Sequence, residues 1–144
     1  MGVAYAFGKG VPQDKAAAID WYSKAANQGY AEAQFNLGAS YAGGLGVPKN
    51  MNEAIKWYLR AANQGHGGAQ FNLGFAYGLG TGVPVSLVEA YKWFTLSASQ
   101  PETTQPDAAI KNRDYAASQM TAAQLDEAKK LVAEWQLHVD ARKH

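Results

Sequence analysis

Ala33-Gln34-Phe35-Asn36-Leu37-Gly38 returns as Ala69-Gln70-Phe71-Asn72-Leu73-Gly74, an offset of 36 residues from Gln34 to Gln70. The same register extends in both directions. Gly46-Val47-Pro48 has copies at Gly10-Val11-Pro12 and Gly82-Val83-Pro84, and Trp57 has copies at Trp21 and Trp93. Ala25-Ala26-Asn27-Gln28-Gly29 recurs as Ala61-Ala62-Asn63-Gln64-Gly65. A period of this length marks a repeat array, in which no unit can bury its apolar face alone and neighbours must stack.

Each unit reads as two helices. Ala33, Leu37 and Tyr41 recur at i, i+4 and i+8, one face of a first helix over Ala31 to Gly43. Met51 to Asn63 carries Ala54, Ile55, Trp57, Tyr58, Ala61 and Ala62, an apolar surface broad enough to need burial on two sides. Asn50 with Glu53, and Ser86 with Glu89, have the spacing of a capping box at a helix start. Gly29 and Gly65 supply the stop, where a left-handed residue closes the helix and Tyr30 or His66 is expected to pack back on its last turn. The paired glycines Gly8 and Gly10, Gly44 and Gly46, and Gly80 and Gly82 fall in the loop between paired helices. They are not a phosphate cradle, since neither G-x-G-x-x-G nor G-x-x-x-x-G-K-[ST] is present and no strand precedes them. Gly38 and Gly74 sit inside the first helix at a cost of about 1 kcal/mol relative to alanine. Their retention predicts that another helix crosses there at close range.

All 15 glycines lie between Gly2 and Gly82, so the rest of the chain is built differently. Pro101 to Pro106 reads as a loop, and Asp107 to Gln119 as an alanine-rich helix. Thr121 with Gln124 opens a longer helix to about Arg142, with Leu125, Ala128, Val132, Trp135 and Val139 as a narrow apolar stripe. A terminal helix pair that covers the open end of the stack fits this pattern. The competing arrangement is a last helix that self-associates or occupies the groove of the array.

Composition and charge narrow the function. The 144 residues are 47% hydrophobic and 17% charged, which excludes a disordered chain. A net charge of +1 provides no basic stripe for nucleic acid. No apolar run approaches the roughly 20 residues that span a bilayer, and the first residues lack a signal peptide's charged start and apolar stretch. With no cysteine, there is neither a disulfide framework nor a thiolate metal site, and cytoplasm and periplasm both remain open. No H-E-x-x-H, G-x-S-x-G or S-x-x-K motif is present, so no catalytic residue, metal ligand or cofactor is assigned. Glu53 and Glu89 are read as capping residues, and Asp20, Lys56 and Lys92 as one solvated position, because its charge changes sign between copies.

The string A-x-A-Q-F-N-L-G-x-x-Y, then G-x-G-V-P, then A-x-x-W-[YF]-x-x-A-A-x-Q-G resembles the Sel-one-like repeat family, a relative of the tetratricopeptide repeats. The resemblance covers roughly Met1 to Gln100. It implies an all-α fold: an α/α solenoid, coiled as a right-handed superhelix, of about three 36-residue helix pairs, the first helix of each pair lining the concave side. Repeats fall at about 1–30, 31–66 and 67–100, followed by a linker at 101–106 and the C-terminal helices at 107–144, all in one domain. The chain begins in the register of Leu37, so the first unit is expected to lack a turn of its first helix. In the third unit Gln100-Pro101 replaces Gln-Gly, which breaks the regular connection. Family members are mostly adaptors or scaffolds, common in bacteria and often exported.

Recognition of a protein or peptide segment is therefore the expected role. On the first helix Phe35 and Ala39 form a stripe separate from Leu37 and Tyr41, with Phe71 and Phe75 as copies and Phe7 as its extension. Asn36 and Asn72 lie beside this stripe, and in tetratricopeptide domains the matching asparagine often bonds a peptide backbone. Phe35 and Phe71 either meet a ligand or fill the seam between units. Phe75, copied only as Ala39, favours binding. Trp21, Trp57 and Trp93 are assigned to the core, and His66 to packing of its turn. The alternatives are end-to-end self-association of a structural repeat protein, and a β-lactam hydrolase activity, a label that some relatives carry.

Overall fold

In the computed structural model, which describes residues 15–142, the connections at the repeated Gln28-Gly29 and Gln64-Gly65 are Schellman turns. Gly29 and Gly65 adopt φ of 97° and 92°, and the Tyr30 and His66 amides donate to the Ala25 and Ala61 carbonyls at 3.2 and 3.1 Å. The longer loops place Gly44, Gly46, Gly80 and Gly82 at positive φ, as their repetition predicts. Among the described residues these stops delimit seven α-helices and no strand: α1 (Lys15–Asn27), α2 (Ala31–Gly43), α3 (Met51–Asn63), α4 (Gly67–Leu79), α5 (Leu87–Ser99), α6 (Pro106–Ser118) and α7 (Ala122–Arg142). The first six are each 13 residues long. Helices of that length are marginal in isolation, so packing supplies their stability.

The packing follows the chain, with α2 on α3 and α4 on α5 as pairs, and α1 on α2 and α3 on α4 between units. Ile55 and Tyr58 of α3, Leu73 of α4 and Trp93 and Leu96 of α5 form the main core. Ile19, Ala26, Ala33 and Leu37 continue it toward the N-terminus. The glycines inside α2 and α4 mark the tightest crossings. A Cβ at Gly38 would stand 2.9 Å from the Tyr58 ring, and one at Gly74 would stand 2.6 Å from the Phe94 ring.

Three expectations are corrected. Of the repeated tryptophans Trp93 is buried, at 1% exposure, but Trp57 is half-buried and Trp21 is 38% exposed. Lys24 lies over Trp21 and Arg60 over Trp57, Trp57 packs at the edge of the Ile19, Ala33 and Leu37 cluster, and the position closes over on α5, against which both α6 and α7 pack. Lys92 is not solvated like Lys56: its side chain is 15% exposed, 4.3 Å above the Trp93 ring and 3.3 Å from Glu89. Tyr30 stays exposed rather than packing back on α1.

The capping residues act as read, with one difference. Asn50 and Ser86 accept from the Glu53 and Glu89 amides at 3.2 and 3.1 Å. The two glutamate carboxylates pair with Lys56 and Lys92 instead of returning the bond, because the Asn50 and Ser86 amides already donate to Tyr41 and Tyr77. Thr121 and Gln124 complete the reciprocal box, at 2.9 and 3.1 Å.

The C-terminal helices close the array by packing chiefly on α5 rather than on each other. Ala128 of α7 is fully buried, Val132 and Trp135 pack on the main core, and Trp135 Nε1 donates to Asn63 Oδ1 at 3.2 Å. The predicted stripe therefore seats α7 along the second helices, away from the face carried by α2 and α4.

Candidate functional site

Three cavities run along the face that α2, α4 and α6 share. The first, about 480 Å³, lies at the N-terminal end of α4, where Phe35 of α2, His66, Phe71 and Asn72 meet Glu102 and Thr103 of the loop between α5 and α6. The second, about 260 Å³, shares Asn72 with it and continues past Tyr58 and Phe75 to Leu79. The third, about 210 Å³, is reached through Phe75 and Leu79 and lies between α4 and α6, over Phe94 and beside Tyr115.

The polar end of this run is built by two sequence departures. His66 replaces Tyr30 of the preceding unit and becomes the N-cap of α4: Nδ1 accepts from the Ala69 amide at 3.0 Å. Nε2 lies 2.9 Å from Glu32 Oε1 on α2. Since Nδ1 is the acceptor, Nε2 carries the proton and donates to the carboxylate. The ring also stacks on Phe35, with centroids 4.6 Å apart. His66 is thus more than a turn-packing residue, contrary to the sequence reading.

Pro101 is the second departure. It turns the chain so that Thr103 Oγ1 donates to the Ser97 carbonyl at 2.6 Å and Glu102 Oε1 accepts from the Gly67 amide at 3.4 Å. Ser97 Oγ in turn donates to the Gly67 carbonyl at 2.9 Å. The broken connection becomes the cavity wall opposite Glu32.

The apolar end is aromatic. Phe71, Phe75 and Phe94 meet edge to face in a triangle, with centroids 5.0 to 5.7 Å apart. Phe71 packs on Phe94 of its own helix pair and also lines the first cavity. Burial pushes the Tyr58 phenol above its ordinary value, with a hydrogen bond from Asn72 acting in the opposite sense.

Of the residues singled out in the sequence, Phe35, Phe71 and Asn72 come together in the first cavity, and Phe75 joins Asn72 in the second. Asn36 is half-buried on α2 and lines none of the three. Phe7 lies outside the described residues. Glu32, His66, Glu102 and Thr103 were not anticipated. The signal was available for His66, which immediately precedes α4 where a cap is needed, and for the loop in the loss of Gln-Gly. Among the described residues no group of histidines and acids could hold a metal ion, and no helix is long and apolar enough to cross a membrane.

Stacked 13-residue helix pairs with cavities along one helix row define an α/α solenoid of the helical-repeat class. The Sel1 repeat profile matches residues 1–30, 31–66 and 68–101, and the chain belongs to that family. A similar solved structure is c5321, a protective antigen present in uropathogenic Escherichia coli strains and displaying an SLR fold, with 36% identity over 93% of this chain and a TM-score of 0.81. Another is a Sel1 repeat protein from Oxalobacter formigenes, with 33% identity over 92% of this chain and a TM-score of 0.68. This chain spans 28% of the first protein and 60% of the second. No curated protein matches it.

Proposed function

We propose that this protein is a non-enzymatic interaction scaffold that binds an extended or helical segment of a partner protein along the face of α2, α4 and α6. The observation that carries the reading is the continuity of the three cavities, linked through Asn72 and then Phe75 and Leu79. Binding sites are concave and mostly apolar with a few polar groups that fix orientation, and this face has Phe35, Phe71 and Phe75 with Asn72 among them. Membership of a repeat family whose proteins are typically scaffolds supports the same role.

Selection of a displayed random-peptide library against the full chain tests it. Selected peptides should lose binding to a Phe71→Ala plus Asn72→Ala variant whose helicity, read by circular dichroism, is intact; undiminished binding overturns the reading. A second reading, end-to-end self-association, draws on Ile110 and Tyr115, which α6 leaves exposed at the end of the helix row. Light scattering over a concentration series separates the two, since a strictly monomeric mass removes self-association.

A further inference from the structure

We infer that the first cavity is a subsite for one basic side chain, lysine or arginine, of the bound segment, which fixes the direction in which that segment lies. The inference rests on the binding face proposed above and adds its chemical selectivity. Two carboxylates line the cavity, Glu32 from α2 and Glu102 from the 102–105 loop, and no lysine or arginine lines it. His66 touches one of them: with its Nδ1 lone pair committed to the Ala69 amide, its Nε2 donates to Glu32 Oε1, and the Glu32 side chain is 72% exposed toward a ligand. Phe35 and Phe71 supply ring faces, which attract a cation as well as the apolar stem of a long basic side chain. The free N–H groups at the start of α4 would favour an anion, but the Ala69 amide is capped by His66 and the Gly67 amide by Glu102. A second anion there would face both carboxylates.

The other end of the run has the opposite chemistry. The third cavity is lined by Phe75, Leu79, Leu87, Phe94 and Tyr115, with Asn112 as a polar side chain. On α4 the two ends are separated by about seven residues, or about 10 Å of helix. An extended segment covers that distance in about three residues. The ligand class that follows is a segment with a basic residue about three positions from a bulky apolar one. The acidic cavity takes the former, and the Phe75–Phe94–Tyr115 cavity takes the latter.

The library selection is repeated on the wild-type chain and on a Glu32→Gln plus Glu102→Gln variant, which keeps side-chain size and hydrogen-bonding capacity while removing both charges. Wild-type selections should be enriched in lysine or arginine about three residues from phenylalanine, leucine or tryptophan. The variant should lose the basic preference and keep the apolar one. Synthetic peptides from the wild-type selection should bind the variant about tenfold more weakly, as expected for the loss of charge-assisted contacts. Their basic-to-alanine counterparts should bind both proteins equally. Apolar-only enrichment, or a basic preference that persists in the variant, overturns the subsite while leaving the binding face in place. Failure to enrich any peptide, or binding that survives Phe71→Ala plus Asn72→Ala, overturns both.

Discussion

Gln34 holds Gln64 at the far end of its own unit: its Oε1 accepts from Gln64 Nε2 at 2.9 Å, while its own Nε2 donates to the Ala26 carbonyl of the preceding unit at 3.1 Å. One residue of the recurring hexapeptide thereby joins the end of α1, the start of α2 and the turn after α3. Gln70 repeats the inner bond, to Ala62 at 3.0 Å, but its Oε1 is buried without a hydrogen-bond partner. The residue in register with Gln64 is Gln100, which extended backbone carries toward Pro101. The departure that builds the cavity wall thus also leaves a buried acceptor unsatisfied.

These two glutamines should respond differently to the same substitution. Gln34→Leu loses two hydrogen bonds, to Gln64 and to Ala26, while Gln64 Nε2 keeps its bond to the Gly29 carbonyl at 2.8 Å, and is expected to cost about 1–2 kcal/mol. Gln70→Leu loses one bond but also removes the unpartnered oxygen, so its net effect should stay within about 1 kcal/mol of wild type. Urea unfolding of both variants checks this, and equal costs would remove the asymmetry.

At the helix crossings, alanine should be worse than glycine despite its higher helix propensity. The gain of about 1 kcal/mol from propensity is opposed by a methyl group 2.6–2.8 Å from Phe94 ring atoms at Gly74, and 2.9 Å from Tyr58 ring atoms at Gly38. Overpacking of this kind costs about 1–3 kcal/mol, so both substitutions should lower the melting temperature, Gly74→Ala by more. A rise at either site would show that the facing ring moves aside freely. The bulkier Gly38→Leu should lower it by several degrees.

The repeated tryptophans should form a graded series. Trp93→Ala empties a fully buried site and is expected to cost about 3–5 kcal/mol. Trp57→Ala should cost less, and Trp21→Ala least, at or below about 1 kcal/mol. Thermal unfolding of the three single variants orders them, and equal losses would restore the sequence-based assignment of all three to the core.

The repeat register made the helices, their stops, the close crossings and the aromatic stripe legible, because each depends on local residues recurring at a fixed spacing. What escaped it depends on neighbours the period does not encode. Trp21, Trp57 and Trp93 share a register position, yet burial differs because α6 and α7 reach α5. Glu102 and Thr103 line the first cavity through a loop that exists because Gln100-Pro101 departs from Gln-Gly. Asn36 and Asn72 are copies, but of the two Asn72 has a tyrosine hydroxyl and two cavities beside it.

Alkaline pH should destabilise the protein through its tyrosines. Burial is the larger cause that raises the Tyr22, Tyr58 and Tyr77 phenols above 10.0, with the Glu32 and Glu89 charges adding at Tyr22 and Tyr77. A folded value above the unfolded one means that the native state holds its proton longer. This stabilisation is complete below the unfolded value of about 10 and is lost as pH rises through the folded values. Melting temperatures measured between about pH 8 and 11 should fall at the upper end, and Tyr58→Phe should make the fall shallower. An unchanged slope in that variant would remove Tyr58 as a contributor.

His66 does two separable jobs, and two substitutions should divide them. The cap it gives Ala69 is available to asparagine, a favoured N-cap residue, but not to alanine. The tie from Nε2 to Glu32, and the stack on Phe35, require the imidazole. His66→Ala should therefore cost about 1 kcal/mol through the lost cap, while His66→Asn should recover most of that stability. Neither variant restores the link between α2 and α4 at the cavity, so amide hydrogen exchange around Glu32 and Phe35 should quicken in both. If His66→Asn matched wild type in exchange as well as in stability, the histidine would act as a cap alone and the Glu32 contact would carry no rigidity.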